Sequence, residues 1–537
     1  MKKRKKIILS SITGALALAL AGGGFWAYKT FVPQETPIDK NATVASNFYQ
    51  AVNKDWLLKT KIPADSPSID NFYTLDEDIK GKLKKDIKNL GEGKETSDIT
   101  GMSEFITFYK AASDYKQREK DGLEPLKPYL KEIEDIKDLN DLANKSASLT
   151  DKGIPLPFGY DVGTNAENTS QKQIQLTPPS ILLPDVSIYK DESSKKQYLT
   201  PIETATQKAL EMLGYSEKNS KRIVKEALEF DEIIAKYSLS NEEMSESKNL
   251  VHPKTAEEIN AYSGSFKLYD VIKGIMGRDL ETINVPNTKY FENYSKVVNQ
   301  DNFSKIKSWM LVQEAMAASN SLTEDYRLNF QSISMAIMGT QKPTSKEDTV
   351  YEMSVNLFSD VMSVYYGRKY FGEEAKTDVT GMIDKIKNVY RGRLQQNDWL
   401  TEETRKKAIE KLDKMKVFVG YQEDVDPGTK ELHLDPNKSF FELSEDIAQF
   451  GKRYTIDHFD DPIDKNKWSG SAFDINAYYN PESNSINFPA GILQAPFYDK
   501  NQSTEKNYGG IGVVIGHEIT HAFDSNGADY DENGDMH

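Results

Sequence analysis

Three side chains near the end of the chain have the types and spacing for metal chemistry. The stretch "IGVVIGHEITHAFDSNG", Ile511 to Gly527, holds His517 and His521 four residues apart, with Glu518 directly after the first. On a helix, positions i and i+4 share a face, so both imidazoles reach one metal ion. Glu518 leans toward the same cleft without ligating. There it can take a proton from a water made acidic by the metal, and later protonate a leaving amine. Zinc lowers the pKa of its water to about 7, so a carboxylate suffices as the base. The bland alternative is a solvated or core histidine pair. The apolar "IGVVIG" before it argues for a buried helix, and burying these three side chains unpartnered is costly.

Catalytic zinc normally has three protein ligands and a water. The pattern H-E-x-x-H-x-x-G-x-x-H fails, because Asp524 stands at the glycine position and Gly527 at the final histidine. The only glutamate after Glu518 is Glu532, in the polar turn "DYDENGD". It is too near and too loop-like for a ligand. Asp529, Asp531, Asn533 and Gly534 match the first half of a calcium loop. A plain glycine-containing turn is the simpler reading.

The metal helix needs a frame. In "SAFDINAYYNPESNSINFPAGIL", Phe473, Ile475, Ala477 and Tyr479 alternate with Asp474, Asn476 and Tyr478. Period two predicts a half-buried strand. "NPES" supplies a turn, and Ile486 and Phe488 alternate again, which predicts a hairpin just before the metal helix. From about 47 to 425 the pattern is mainly helical. Thr401 caps a helix in which Ala408, Ile409, Leu412 and Met415 form an apolar stripe. Val417 to Val419 reads as extended, and Gly420 ends the unit. "DPGTKELHLDPNKS", Asp426 to Ser439, is the best boundary candidate. The division expected is 47–425 helical, 426–470 connecting and 471–537 catalytic.

The N-terminus reads as a membrane signal. "MKKRKK" (1–6) precedes Ile7 to Tyr28, 22 residues without a charge. A helix of that length spans roughly 33 Å, enough for a hydrocarbon core. The basic cluster predicts a cytoplasmic N-terminus and a body outside, joined by a spacer at 29–46. The rival is a cleaved signal peptide at "ALAGG", which would make the protein secreted.

Composition narrows the remainder. The 537 residues, 38% hydrophobic and 28% charged, are enough for more than one core. Net charge is −15, and the first six residues contribute five positive charges, which leaves −20 on the body. Such a surface repels phosphate backbones, so no nucleic-acid partner is expected. With no cysteine, disulfides and thiol catalysis are excluded, and any transition metal must be held by histidine and carboxylate.

Taken together, three stretches resemble the neprilysin and endothelin-converting-enzyme family of zinc metallopeptidases, in its bacterial branch. "NFYQAVNKDWL", Asn47 to Leu57, is similar to the family's ectodomain start. "NAYYNPESNSINFPAGILQAPF", Asn476 to Phe497, resembles its substrate-binding strand and hairpin. "NYGGIGVVIGHEITHAFDSNGADYDENGD", Asn507 to Asp535, resembles its metal helix. The resemblance implies a mainly α, two-lobed fold, with a large helical lobe and the start of a thermolysin-like catalytic domain around a cavity that admits oligopeptides. It implies one zinc per chain held by His517 and His521, with Glu518 as general base. Asn476 and the backbone of Ala477 would hold the peptide as an added edge strand. Ile492, Phe497, Val513 and Val514 match positions lining the pocket for the residue after the cut. Asp524 would support a ligand. The family's third ligand, a glutamate on a later helix, has no counterpart in this sequence. The alternative is therefore a truncated, inactive, surface-anchored binding protein. A calcium-stabilised surface module ranks last.

Overall fold

The computed structural model describes residues 38–246 and 249–537. The basic segment 1–6, the apolar segment 7–28 and the first half of the spacer, 29–37, lie outside the described residues. Among the described residues, no helix is long and apolar enough to cross a membrane.

The chain is mainly helical, as expected, and its helices are started by side-chain caps. Helix α1 (Phe48–Lys59) begins where Asn47 accepts the Gln50 N–H at 3.1 Å, and Asp70 caps α2 (Asn71–Gly91) in the same way. Helix α2 buries Leu75, Ile79, Leu83 and Ile87, a stripe at every fourth residue.

The first core gathers the middle of the chain. Strands β1 (Gly159–Thr164) and β2 (Lys172–Thr177) form a hairpin ahead of α3 (Glu192–Met212) and α4 (Glu217–Tyr237). Strands β3 (Pro253–Lys254) and β4 (Ile283–Asn284) complete a sheet in the order β1-β2-β4-β3. This sheet was not expected, because "GYDVGT" and "KQIQLT" carry only two large apolar residues each. Helix α5 (Phe303–Ala317) is buried on most sides and packs along α4. The fully buried Asp231 of α4 ties the layers together. Its carboxylate accepts the Leu182 N–H at 3.0 Å, the Trp309 indole N–H at 3.2 Å and the Tyr189 hydroxyl. Three donors satisfy the oxygens that burial strips of water.

A second core joins α2 to α6 (Ser359–Tyr370), and a third holds the catalytic segment. The third contains α7 (Glu373–Gln395), α8 (Glu402–Lys414) and β5 (Lys416–Gly420). As expected, Thr401 caps α8, with Leu412 and Met415 buried beneath it. Residues 426–470, expected as a connection, include the 18-residue helix α9 (Phe440–Asp457). Its first two residues enter different cores. Phe441 packs edge-on to Tyr129 in the first, and Phe440 meets Phe108 in the second.

Strand β5 also shows that the division at 425 follows the chain and not the packing. It lies parallel to β7 (Ser485–Pro489), which pairs antiparallel with β6 (Tyr478–Asn480), in the order β5-β7-β6. One face, with Val417, Val419, Ile486, Phe488 and Tyr479, joins the third core. The other carries Phe418, Asn487 and Tyr478, aligned across the three strands. The strand expected over 473–479 is thus shortened to 478–480. Extending the register sets Asn476 opposite Pro489, which has no N–H to donate. Residues 471–474 turn instead, and the Asp474 carboxylate accepts the Ser471 N–H at 2.9 Å.

Glu314 of α5 is buried facing α9. Burial first, and then the Glu445 charge, push its carboxyl up to about 8, with Lys452 opposing. The folded state therefore keeps this proton over a range where the unfolded chain has lost it. The stability contributed is present in acid and lost as pH rises through about 8. Glu314→Gln should flatten this dependence, so the thermal midpoint of the variant should rise relative to the parent between pH 5 and pH 9, as read by calorimetry.

Candidate metal centre

The metal motif lies on α10 (Ile511–His521). Ile511, Ile515 and Ile519 recur every fourth residue and are fully buried, which presses the helix onto β6 and α7. That registration turns Glu518 inward, where it is 4% exposed, and turns His517 outward. At the helix start the Ile511 N–H donates to the Phe497 carbonyl at 2.8 Å. Past its end the chain folds back so closely that a Cβ on Gly527 would lie 1.8 Å from the His521 carbonyl oxygen. Only glycine fits there.

The two imidazoles stand nearly perpendicular, with ring centroids 4.5 Å apart and Nε2 atoms 3.0 Å apart. His521 Nδ1 lies 2.7 Å from Asp524 Oδ2. The other Asp524 oxygen accepts the N–H groups of Asn526 and Gly527 at 3.0 and 2.8 Å. Burial raises the Asp524 carboxyl, but these amides and His521 outweigh it and leave it below its ordinary range. An ionised Asp524 accepts a hydrogen bond from the Nδ1–H, which fixes the tautomer whose Nε2 lone pair is free. For Glu518, burial dominates and pushes the carboxyl up to about 7, opposed by His521 and the Tyr479 backbone amide. A cation on the imidazoles acts in the same direction as these opposing groups.

His517, Glu518 and His521 form the one three-residue ligand group among the described residues, with donor atoms within 4.8 Å of one another. Glu532 lies elsewhere, held by Lys414 at 3.2 Å. Asn476 is exposed and Ala477 buried just before β6. Ile492 is buried within the third core and Phe497 and Val514 pack against it, whereas Val513 stays outside it, 65% exposed on the His517 side of the helix. The Phe497 ring also meets Phe72 of α2, 4.8 Å between centroids.

In the following turn the Asp531 carboxylate accepts the Asn533 and Asp535 N–H groups at 2.8 and 2.9 Å. Asp535 accepts the Thr169 N–H from the β1–β2 hairpin at 2.8 Å. Asp531, a carboxylate of the half calcium loop, thus serves backbone donors, as does the neighbouring Asp535. The buried cation that enters the turn from α8 is Lys411. Its buried ammonium donates to the carbonyls of Gly527 and Tyr530 at 2.5 and 2.6 Å, and burial pushes it down to about 8. Nothing local in the sequence marks Lys411, because its partners lie more than 110 residues away.

Two family models, both of peptidase family M13, match the chain at residues 44–422 and 476–537. The chain belongs to peptidase family M13. A neutral endopeptidase of Lactobacillus helveticus is 36% identical over 499 residues, 93% of this chain and 77% of the relative. A neutral endopeptidase of Lactococcus lactis subsp. lactis is 33% identical over 498 residues, 92% of this chain and 78% of the relative. The crystal structure of PepO from Lactobacillus rhamnosis HN001 superposes with a TM-score of 0.87 at 27% identity, covering 92% of this chain and 78% of that one. The family's neprilysin fold and a metalloendopeptidase activity follow from these matches.

Lys411 braces the turn of this family's metal helix. Lys411→Met leaves the Tyr530 carbonyl without a donor and the Gly527 carbonyl with only the Tyr530 N–H, and should destabilise the turn by about 1–3 kcal/mol. Amide exchange across residues 524–535 should accelerate accordingly, with exchange in α4 unchanged.

Proposed function

We propose that this chain is a zinc-dependent endopeptidase that cleaves oligopeptides, with Glu518 as its general base. The observation that carries the reading is the buried Glu518 carboxylate beside two imidazoles whose Nε2 atoms converge to 3.0 Å. The donor set fits zinc. Two nitrogens at about 2.0–2.1 Å in a tetrahedral shell lie about 3.3 Å apart, close to what His517 and His521 already offer. Zinc, when bound, polarises the scissile carbonyl and acidifies the attacking water.

The remaining steps belong to this chain's own residues. The outer edge of β6, with Asn476 and Ala477 leading into it, takes the peptide as a further strand. Ile492, Phe497, Val513 and Val514 offer an apolar surface to the residue after the cut. Glu518 takes a proton from the water as its oxygen bonds to the carbonyl carbon. The same carboxyl returns that proton to the amide nitrogen as the carbon–nitrogen bond breaks. Its half-buried cleft keeps bulk water from competing for the proton. Asp524 supports the site by holding the His521 ring and tautomer. The charge-free segment 7–28 behind a basic cluster supports an anchor that holds the body outside the membrane.

Glu518→Gln should retain zinc, measured by elemental analysis, while cleavage of a quenched fluorescent peptide falls by at least about a hundredfold. Cleavage at the parental rate would remove Glu518 from its assigned role. His517→Ala should lose the metal, and unchanged zinc content would refute that ligand. A parent chain that binds zinc and peptide without cutting would overturn the endopeptidase reading in favour of a binding protein.

A further inference from the structure

Lys411 touches neither imidazole, yet its hydrogen bonds lead to His521 in three steps. We propose that Lys411 is a positioning residue for the metal centre, acting through Gly527 and Asp524 to hold the His521 ring ready for zinc. The inference rests on the reading of His517 and His521 as zinc ligands.

The buried Lys411 ammonium donates to the Gly527 carbonyl at 2.5 Å. The N–H of the same glycine donates to Asp524 Oδ1 at 2.8 Å. Asp524 Oδ2 meets His521 Nδ1 at 2.7 Å. One oxygen of the carboxylate is thus tied to the backbone and the other to the ligand ring. A shift of the backbone at Gly527 therefore moves the group that holds the ring.

Gly527 has little slack. A Cβ there would lie 1.8 Å from the His521 carbonyl oxygen and 2.9 Å from the Ala522 carbonyl carbon, so this backbone rests on the end of α10. The Ala528 N–H returns to the Asp524 carbonyl at 2.9 Å. From the β6–β7 turn, the buried Asn484 amide donates to the Lys411 backbone carbonyl at 3.0 Å and to the Glu532 carbonyl at 3.1 Å. Helix α8, the β6–β7 turn and the metal turn share one clamp, and Lys411 is the member that reaches Gly527. Without its ammonium the 524–527 backbone relaxes and Asp524 drifts from Nδ1. The ring can then take the tautomer in which Nε2 carries the proton and cannot ligate.

Charge and position make opposite demands. Lys411 is a cation two hydrogen bonds from Asp524. On charge alone, removing it favours a second cation nearby, and zinc would bind more tightly. Positioning requires the reverse, so the sign of the change separates the two.

The test measures the zinc dissociation constant of the full chain by competition with a chromophoric chelator. Lys411→Met should raise it about tenfold, as the loss of a group that orients a ligand does. Lys411→Gln keeps one side-chain donor, should lose less, and serves as the second variant should Lys411→Met fail to fold. In an Asp524→Ala background either variant should change the constant by less than about twofold, because the relay is already cut. Lys414→Met removes the neighbouring ammonium that pairs with Glu532 at 3.2 Å and should leave zinc affinity unchanged. In the zinc-free chain, which has only six histidines, nitrogen-15 imidazole spectra should show His521 leaving its Nδ1–H tautomer in Lys411→Met. Zinc held as tightly as in the parent, or more tightly, would overturn the proposal. Equal weakening with and without Asp524 would make Lys411 a support of the fold only and overturn it as well. His517→Ala binding zinc as tightly as the parent would overturn the ligand reading itself, and this inference with it.

Discussion

A carboxylate that must be both buried and close to two imidazoles imposes the arrangement of the catalytic lobe. Glu518 reaches that position because Ile511, Ile515 and Ile519 fasten α10 to a sheet whose near face is wholly apolar. A helix resting on that face through one stripe has a single rotational setting. In it, the residue beside the stripe points at the strand edge, and the histidines on the adjoining face point into the cleft. The hydrophobic seal thus orients the polar site, and the site's polar groups contribute little to holding the lobe together.

The same division of labour runs through the rest of the chain. Apolar stripes build three cores, and a few buried polar groups specify how the cores meet. Asp231 collects donors from a loop and from α5. Phe440 and Phe441 commit one helix start to two cores. The β1–β2 hairpin holds the end of the metal turn through Thr169 and Asp535. Lys411 performs the work that a calcium ion performs in other acidic turns, with the advantage that its charge is part of the chain. Asp231, Thr169 and Lys411 are buried, so each loses water on folding and has to recover its hydrogen bonds from a distant partner.

Periodicity in the chain is legible wherever one element decides its own burial. The cap at Thr401, the stripe through Leu412 and Met415, the extended Val417 to Val419 and the short reach between His517 and His521 are all local consequences of helix and strand geometry. The strand at 473–479 was over-extended because alternation reports which face is apolar and not whether a partner can continue the ladder. That decision lies with Pro489, thirteen residues on. The small sheet of the helical lobe escaped for a related reason, since its strands are defined by pairing and carry little pattern of their own.

The sequence by itself determined the chemistry, because a histidine, a glutamate and a second histidine at helical spacing have few other uses in an apolar segment. Its motifs also identified the family. Only the tertiary structure decided how buried Glu518 is, which nitrogen of His521 is left free, and that Lys411 closes the turn. These depend on side chains brought together from positions three to more than a hundred residues apart. Hydrogen-bond roles are assigned by whoever is nearest in space, and a linear pattern carries no record of that.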